Sequence, residues 1–219
     1  MRPSWEVFDK LCQRYDEWFE HFPGKNIFEL EVKCVKESFK GVSKPWLEVG
    51  IGTGRFAEKI GIDVGIDPSE KMLEKAAKRK IEVIKARAEN LPFPSDFFGG
   101  VAIIVTLCFL DDPQTTLKEC LRVLKNDGRV ILGIVPRNSS WGKFYLEKKK
   151  EGHPFYSVAH FYTSQETILL AERAGFTLES VFSTLFEEPK ECENIKIYSP
   201  SSNLIENAGF VCIRFKKSK

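Results

Sequence analysis

Between residues 46 and 135, short apolar segments alternate with segments of helical period. The apolar segments are 46–49, 62–66, 81–86, 101–105 and 130–135. The helical segments run from a glycine-rich turn to Ile60, from Ser69 to Lys80 and from Thr115 to Leu124. Strands that alternate with helices form a parallel sheet, and strands that are apolar throughout indicate a sheet covered on both faces. We therefore predict a doubly wound α/β fold.

The pattern changes after residue 136. Residues 137–162 are rich in aromatic side chains, lysine and glycine and have no clear period, which is typical of an insertion that caps a site. A helical segment follows from Ser164 to Ala174, ended by Gly175. The alternating segments 176–184 and 210–215 predict two late strands that complete a mostly parallel sheet of seven as an antiparallel hairpin.

Residues 3–40 predict two helices that are interrupted at Pro23-Gly24. The first helix has one wide apolar face, formed by Trp5, Phe8, Leu11, Cys12, Tyr15, Trp18, Phe19 and Phe22. This face either packs on the core or covers a bound ligand. We describe the chain as one domain over residues 1–219, with a helical lid at 1–42 and a cap insertion at 137–162.

Composition narrows the class of protein. Of 219 residues, 42% are hydrophobic and 29% charged, as in ordinary globular domains, and a net charge of +2 gives no global field that demands nucleic acid. The six cysteines form no CxxC pair and no histidine stands at ligand spacing, so we expect no metal site. Scattered thiols, a charged N-terminus and the lack of an apolar run of about 18 residues predict a cytoplasmic protein without a membrane span.

The strongest local motif runs from Glu48 to Arg55 and reads Glu-Val-Gly-Ile-Gly-Thr-Gly-Arg, between a predicted strand and a predicted helix. Glycines allow a tight turn and let a ligand approach the backbone, and the following helix directs free N–H groups at that ligand. Asp67 ends the second predicted strand, where a carboxylate can accept hydrogen bonds from both hydroxyls of an adenosine ribose.

Nicotinamide dehydrogenases use the same two features, but their fingerprint is GxGxxG. Here Arg55 occupies the position of the third glycine of that fingerprint, and glycine falls one residue earlier, at Gly54. A GxGxG loop preceded by an acidic residue favours S-adenosylmethionine over NAD. The segment 88–93, Ala-Glu-Asn-Leu-Pro-Phe, follows the third strand and offers a side chain that can accept from an adenine amine.

Five segments, in the right order, resemble motifs of the class I S-adenosylmethionine-dependent methyltransferases. They are 47–54, 64–73, 88–93, 124–130, and 161–164 with 174–176. Segment 88–93 is similar to the adenine-contact segment of the small-molecule branch that includes the ubiquinone and menaquinone biosynthesis methyltransferases. The resemblance implies the Rossmann-like fold of that family, with S-adenosylmethionine as cofactor and S-adenosylhomocysteine as product. One departure is Gly99-Gly100, where the family usually carries an acidic residue.

The resemblance also implies the residues that hold the cofactor. These are Glu48, Gly50, Gly52, Gly54, Asp67, Pro68, Met72, Ala88, Glu89, Thr106 and Leu107. Glu48 would hold the methionine amino group, and the glycines would give room beside the amino-acid portion. Asp67 would bind the ribose hydroxyls, and Ala88 with Glu89 would meet the adenine. Thr106 and Leu107 would lie under the methionine chain and the sulfonium.

The methyl acceptor is predicted to be a small molecule. No Asn/Asp-Pro-Pro-Tyr or Phe segment follows the fourth strand, and with the weak basicity this argues against DNA. A general base is needed only if the acceptor must lose a proton. The candidate bases, all in or beside the predicted cap, are His153, Tyr156, His160 and Tyr162. Lining an aromatic pocket is the alternative role for these side chains.

Three other functions remain open at this point. A protein or RNA methyltransferase of the same fold would need an accessory surface, which residues 1–42 and 137–162 could supply. A non-catalytic protein that binds S-adenosylmethionine would have the same cofactor motifs. A nicotinamide oxidoreductase is disfavoured by Arg55 and by the late antiparallel hairpin. The pattern carries no indication of the oligomeric state.

Overall fold

The structure is a computed structural model and describes residues 3–189 and 195–218, so Cys192 lies outside the described residues. The helices are α1 (Trp5–Lys10), α2 (Cys12–Glu17), α3 (Gly24–Ser38), α4 (Arg55–Ile60), α5 (Glu70–Lys78), α6 (Pro113–Val123), α7 (Ser140–Lys150) and α8 (Ser164–Arg173). The strands are β1 (Trp46–Val49), β2 (Val64–Asp67), β3 (Glu82–Lys85), β4 (Phe98–Ile104), β5 (Leu124–Ile134), β6 (Phe176–Thr184) and β7 (Phe210–Lys217). Short 3-10 turns occupy Trp18–Glu20, Leu107–Phe109 and Tyr156–Val158.

All seven strands form one sheet in the order β3-β2-β1-β4-β5-β7-β6. The first five strands pair in parallel, and β7 runs antiparallel to both β5 and β6. The predicted doubly wound, mostly parallel sheet of seven strands with an antiparallel C-terminal hairpin is confirmed. The order reverses between β1 and β4, and in open α/β sheets ligands bind at the carboxyl ends of the strands beside such a reversal.

Helices cover both faces of the sheet, and β4 shows why this requires an apolar strand. Val101 and Ile103 point into a core formed with α6 and α8. Ala102 and Ile104 point into a second core formed with α3, α4 and α5. Successive side chains of a strand face opposite sides, so a strand between two cores is apolar at every position.

Two segments differ from the sequence prediction. The aromatic N-terminal helix is divided into α1, α2 and a 3-10 turn, and α3 begins at Gly24, as the Pro23-Gly24 pair indicates. The cap at 137–162 contains a regular helix, α7, whose start is capped because the Ser139 hydroxyl accepts a hydrogen bond from the backbone N–H of Gly142 at 3.0 Å. Within the residues described, no helix combines the length and the apolar character that a membrane crossing requires.

The structure explains the glycine pair that departs from the family pattern. Gly99 lies inside β4, and its N–H donates to the Pro45 carbonyl at 2.9 Å. A Cβ atom at Gly99 would lie 1.8 Å from the Ser43 carbonyl oxygen, so only glycine fits where the segment before β1 crosses β4. Glycine rather than an acidic residue therefore occupies this position, because two backbones approach each other closely here.

Gly99→Ala should lower the free energy of unfolding by about 3 kcal/mol, because the added methyl group must displace a backbone carbonyl. The control is Gly61→Ala, since Gly61 has a φ of +86° but open space around its Cα. That control should cost only about 1 kcal/mol, the penalty for a left-handed alanine. Urea unfolding followed by circular dichroism measures both values, and equal losses would contradict the close approach at Gly99.

Candidate functional site

One large cavity, of about 700 Å³, opens at the carboxyl ends of the strands. Its floor is formed by the loops that follow β1, β2, β3 and β4. Its cover is formed by residues of α1, α2 and α3, and one side by residues 141–161. The cavity therefore lies where the strand order of the sheet reverses. The N-terminal helices and the cap enclose it.

The glycine loop after β1 forms part of the floor. Gly50 has a φ of +74° and packs so closely on Thr106 that a Cβ would lie 2.2 Å from the threonine methyl carbon. Gly52 has a φ of +55° and faces the cavity, where the nearest atoms to a Cβ would be those of the Tyr15 ring, 3.9 Å away. Gly54, also with positive φ, packs on Ala76 of α5 and is not part of the cavity lining.

Asp67 lies at the end of β2 with its carboxylate fixed by two loops. The N–H of Gly52 donates to one carboxylate oxygen at 3.0 Å, and the N–H of Ser69 donates to the other at 2.9 Å. Burial raises the pKa of Asp67 to about 6, although these two hydrogen bonds act in the opposite direction. Each carboxylate oxygen can accept a further hydrogen bond, so the group remains able to bind two hydroxyls from the cavity side.

Glu48 belongs to β1, is 2% exposed and is not among the residues that line the cavity. Its Oε2 atom has no hydrogen-bond partner within residues 3–189 and 195–218. Burial first, and the nearby Asp67 second, raise its pKa well above the ordinary value. A backbone hydrogen bond at Ala57 offsets part of this cost, and the unpaired oxygen would suit a ligand that carries an ammonium group.

The other predicted cofactor residues divide into two groups. Five of them line the cavity: Pro68, Met72, Ala88, Glu89 and Thr106. Thr106 also donates a hydrogen bond to the Gly50 carbonyl at 3.2 Å, which connects the loop after β4 to the glycine loop. Leu107 is 1% exposed and packs in the core behind the cavity wall.

The four candidate bases are not all in one place. His153 and Tyr156 line the cavity and stack on each other with ring centroids 4.4 Å apart. His160 and Tyr162 pack edge to face and do not line this cavity. Burial, then Arg14 and Lys148, lower the pKa of His153, and burial raises that of Tyr156 to about 12.

Hydrogen bonds and ion pairs attach α1 and α2 to the helices that carry the cofactor loops. Ser69 Oγ donates to Asp9 of α1 at 2.7 Å. Asp16 of α2 accepts from Arg55 Nε at 2.6 Å and lies 3.4 Å from Lys75 and 3.6 Å from Arg79. Burial alone would raise the pKa of Asp16, but the hydrogen bond from Arg55 and the nearby cations lower it to about 2.

Sequence reasoning missed several lining residues on α3 and α7. Trp141 and Tyr145 of α7 face the cavity, and so does Glu31 of α3, which is 6% exposed. The aromatic residues belong to a segment without a clear period. The signal for Glu31 was available: it stands four residues after Ile27 and three before Cys34, so the acid lies on the buried face of its helix.

Known proteins match the chain along its whole length. Residues 47–132 match the model of a family described as a methyltransferase domain. An uncharacterized protein of Methanocaldococcus jannaschii is 36% identical over 212 residues, which cover 96% of this chain and 98% of the relative. A demethylmenaquinone methyltransferase of Lactococcus lactis is 32% identical over 230 residues, covering 97% of this chain and 83% of the relative.

A solved structure agrees with this assignment. It belongs to a Thermotoga maritima protein described as an S-adenosylmethionine-dependent methyltransferase and possible histamine N-methyltransferase. The two chains are 38% identical and superpose with a TM-score of 0.87 over 98% of this chain and 100% of the other. These matches, together with the sheet order, show that the chain belongs to the S-adenosylmethionine-dependent methyltransferases and takes S-adenosylmethionine as its cofactor.

Proposed function

We propose that this protein is an enzyme that transfers the methyl group of S-adenosylmethionine to a small-molecule acceptor bound in the same cavity. One observation carries the proposal. The cavity contains predicted cofactor residues at one end and continues under α1, α2 and the cap into a chamber walled by aromatic side chains. A cofactor and a small acceptor can lie end to end in such a space, whereas a folded protein or an RNA needs an open cleft.

The residues of the floor fit the cofactor. Asp67 would accept hydrogen bonds from the ribose hydroxyls with the two oxygens that Gly52 and Ser69 hold in place. Glu48 would pair with the amino group of the methionine part, because its Oε2 atom has no hydrogen-bond partner among the described residues. The backbone of Gly52 can lie against the ligand because no side chain projects there. We also propose that Ala88 and Glu89 contact the adenine, since both line the floor.

The bound cofactor supplies a methyl group on a positively charged sulfur, open to in-line attack. The task of the protein is then to align the acceptor and to exclude water, and good alignment can contribute about 7–11 kcal/mol to lowering the barrier. We propose that residues 1–42 act as a lid and residues 137–162 as a cap. Phe8 of α1 supports this, because its ring lies 5.2 Å from Phe155 of the cap, so the two segments meet over the cavity.

The names of two relatives support a small acceptor. One is a demethylmenaquinone methyltransferase, and another is described as a possible histamine N-methyltransferase. Incubation with S-adenosylmethionine and either histamine or a demethylated menaquinone analogue tests the proposal, with S-adenosylhomocysteine as the measured product. Acceptor-dependent formation of this product supports an enzyme. Cofactor binding without turnover of any acceptor in a wider panel would instead indicate a sensor.

Asp67→Ala should weaken the binding of S-adenosylhomocysteine by about 2–3 kcal/mol, because the ribose hydroxyls lose charge-assisted hydrogen bonds. Calorimetric titration measures the change. Glu70→Gln is the matched control, since Glu70 is an exposed acid at the start of α5 that pairs with Lys85 and does not line the cavity. An Asp67→Ala protein that binds as tightly as the wild type would remove Asp67 from the site.

The affinity for S-adenosylhomocysteine should fall as the pH is lowered from 7 to 5. The pKa of Asp67 is about 6, so its charged form, which binds hydroxyls more strongly, is lost below that pH, and the loss approaches tenfold per unit. The neighbouring acids are Asp9 and Glu48, and the latter also has a raised pKa. Asp67→Asn should therefore abolish the step near pH 6, and a step that persists would assign the titration to another group.

A further inference from the structure

Glu31 is an acidic residue in the wall of the cavity, and no described side chain pairs with it. It lies in the middle of α3, is 6% exposed and lines the cavity. Within residues 3–189 and 195–218, its carboxylate takes part in no hydrogen bond and no ion pair. Burial alone raises its pKa to about 8. A buried carboxylate of this kind destabilises the fold unless a ligand pairs with it, since a leucine of similar size would pack in the same wall.

The groups around Glu31 do not compensate its charge. The charge of Glu31 affects the pKa of four titratable side chains: Tyr15 of α2, Tyr145 of α7, Tyr156, and Cys212 of β7. Burial raises the pKa of each of these four groups, so all of them are neutral at pH 7. The surroundings of Glu31 therefore contribute rings and hydroxyls but no positive charge.

The cations of the cavity lie elsewhere. Three basic side chains line it: Arg14 and Lys148 act on the pKa of His153, and Arg87 pairs with Asp111 at 2.7 Å. None of the three contributes to the pKa of Glu31. Lys148 also has a carboxylate of its own, because it lies 2.8 Å from Glu151. None of the cations among the described residues that line the cavity therefore balances Glu31.

Aromatic rings stand beside the carboxylate. Tyr145 stacks on Tyr156 with centroids 4.5 Å apart, and Trp141 lies 6.0 Å from Tyr145. Faces of tyrosine and tryptophan attract an ammonium ion, and a carboxylate among such rings is a recurrent way to recognise one. The same rings provide an apolar surface for the rest of a small ligand.

We propose that the methyl acceptor is a small molecule with a cationic amino group, and that Glu31 is the residue that recognises it. The carboxylate pairs with the ammonium group, while Trp141, Tyr145 and Tyr156 pack against the carbon skeleton. This inference rests on the proposed function and adds to it the chemical class of the acceptor. A neutral acceptor would leave the Glu31 carboxylate unpaired, and the negative group of an anionic acceptor would be repelled by that carboxylate.

Formation of this ion pair should release a proton that can be measured. Near pH 7 the Glu31 carboxyl is about nine-tenths protonated in the empty cavity, because its pKa is about 8. An alkylammonium ion arrives protonated, so the ion pair forms only when the Glu31 carboxyl releases its proton to solvent. Binding should therefore release close to one proton per site at pH 7, and the affinity should rise about tenfold per pH unit from 6 to 7.

The test uses the full chain loaded with S-adenosylhomocysteine and three probes of similar size. These are phenethylamine, the neutral 2-phenylethanol and the anionic 3-phenylpropionate. We expect phenethylamine to bind at least tenfold more tightly than the other two, with a proton released when titrations in two buffers of different ionisation enthalpy are compared. Glu31→Gln should lower the affinity for phenethylamine at least tenfold, abolish the proton release and leave 2-phenylethanol unchanged.

The matched control is Glu151→Gln, the same change at an exposed acid that lines the same cavity and is paired with Lys148. It should leave the binding of all three probes unchanged. Glu31→Leu, which suits the apolar wall, provides a second variant should the amide fail to fold. Affinity for phenethylamine that survives both substitutions, or a wild-type protein that does not prefer phenethylamine, overturns the proposal.

The outcomes also separate this inference from the proposed function. A protein that methylates neutral acceptors and ignores amines would keep its function as a small-molecule methyltransferase, and Glu31 would lose its assigned role. A protein that binds phenethylamine through Glu31 but methylates no acceptor would keep the recognition site and refute the enzyme. Affinity for S-adenosylhomocysteine in Glu31→Gln, expected within twofold of the wild type, shows that the cofactor end is intact.

Discussion

The hydrogen bonds of one carboxylate, that of Asp67, organise the site. Asp67 accepts from the glycine loop after β1 and from Ser69 at the start of α5, and Ser69 in turn donates to Asp9 of α1. A continuous path of hydrogen bonds therefore runs from the loop after β1, through Asp67 and Ser69, to α1 of the N-terminal cover. The conformation of the floor and the position of the cover depend on the same group, so a ligand that engages Asp67 acts on both.

Three acidic side chains lie in or near the cavity wall: Glu31 and Asp67 line the cavity, and Glu48 is buried in β1. Glu31, Glu48 and Asp67 all have raised pKa values, and burial is the first cause in each case. Without ligands this arrangement costs stability, because each carboxyl must be either protonated or left without full compensation. With a positively charged cofactor and a cationic acceptor, the same groups become partners. Under the proposed function, the site exchanges stability of the empty fold for selectivity toward cations.

The sequence predicted most of the sheet because its strands lie between two cores. Ala102 and Ile103 face opposite cores, so the strand shows an apolar run that is easily recognised. The helix α7 was missed because Trp141 and Tyr145 face the cavity while Lys143 and Lys150 are exposed, and a helix between a cavity and water has no simple apolar stripe. Glu31 was missed because an acid in a helix is ordinarily exposed, although its spacing from Ile27 and Cys34 places it on the buried face. The close approach at Gly99 joins segments more than fifty residues apart and has no local signal.

The ion pairs of Asp16 have a consequence for the timing of the reaction cycle. They tie α2 to Arg55, Lys75 and Arg79, which belong to the helices that follow the cofactor loops. In the enzyme proposed above, a nucleoside product would lie beneath a cover that these pairs attach to the rest of the fold. Dissolved ions weaken such pairs by screening. Were release of the product from beneath this cover to limit the proposed turnover, its rate would depend on the ionic strength of the surrounding solution.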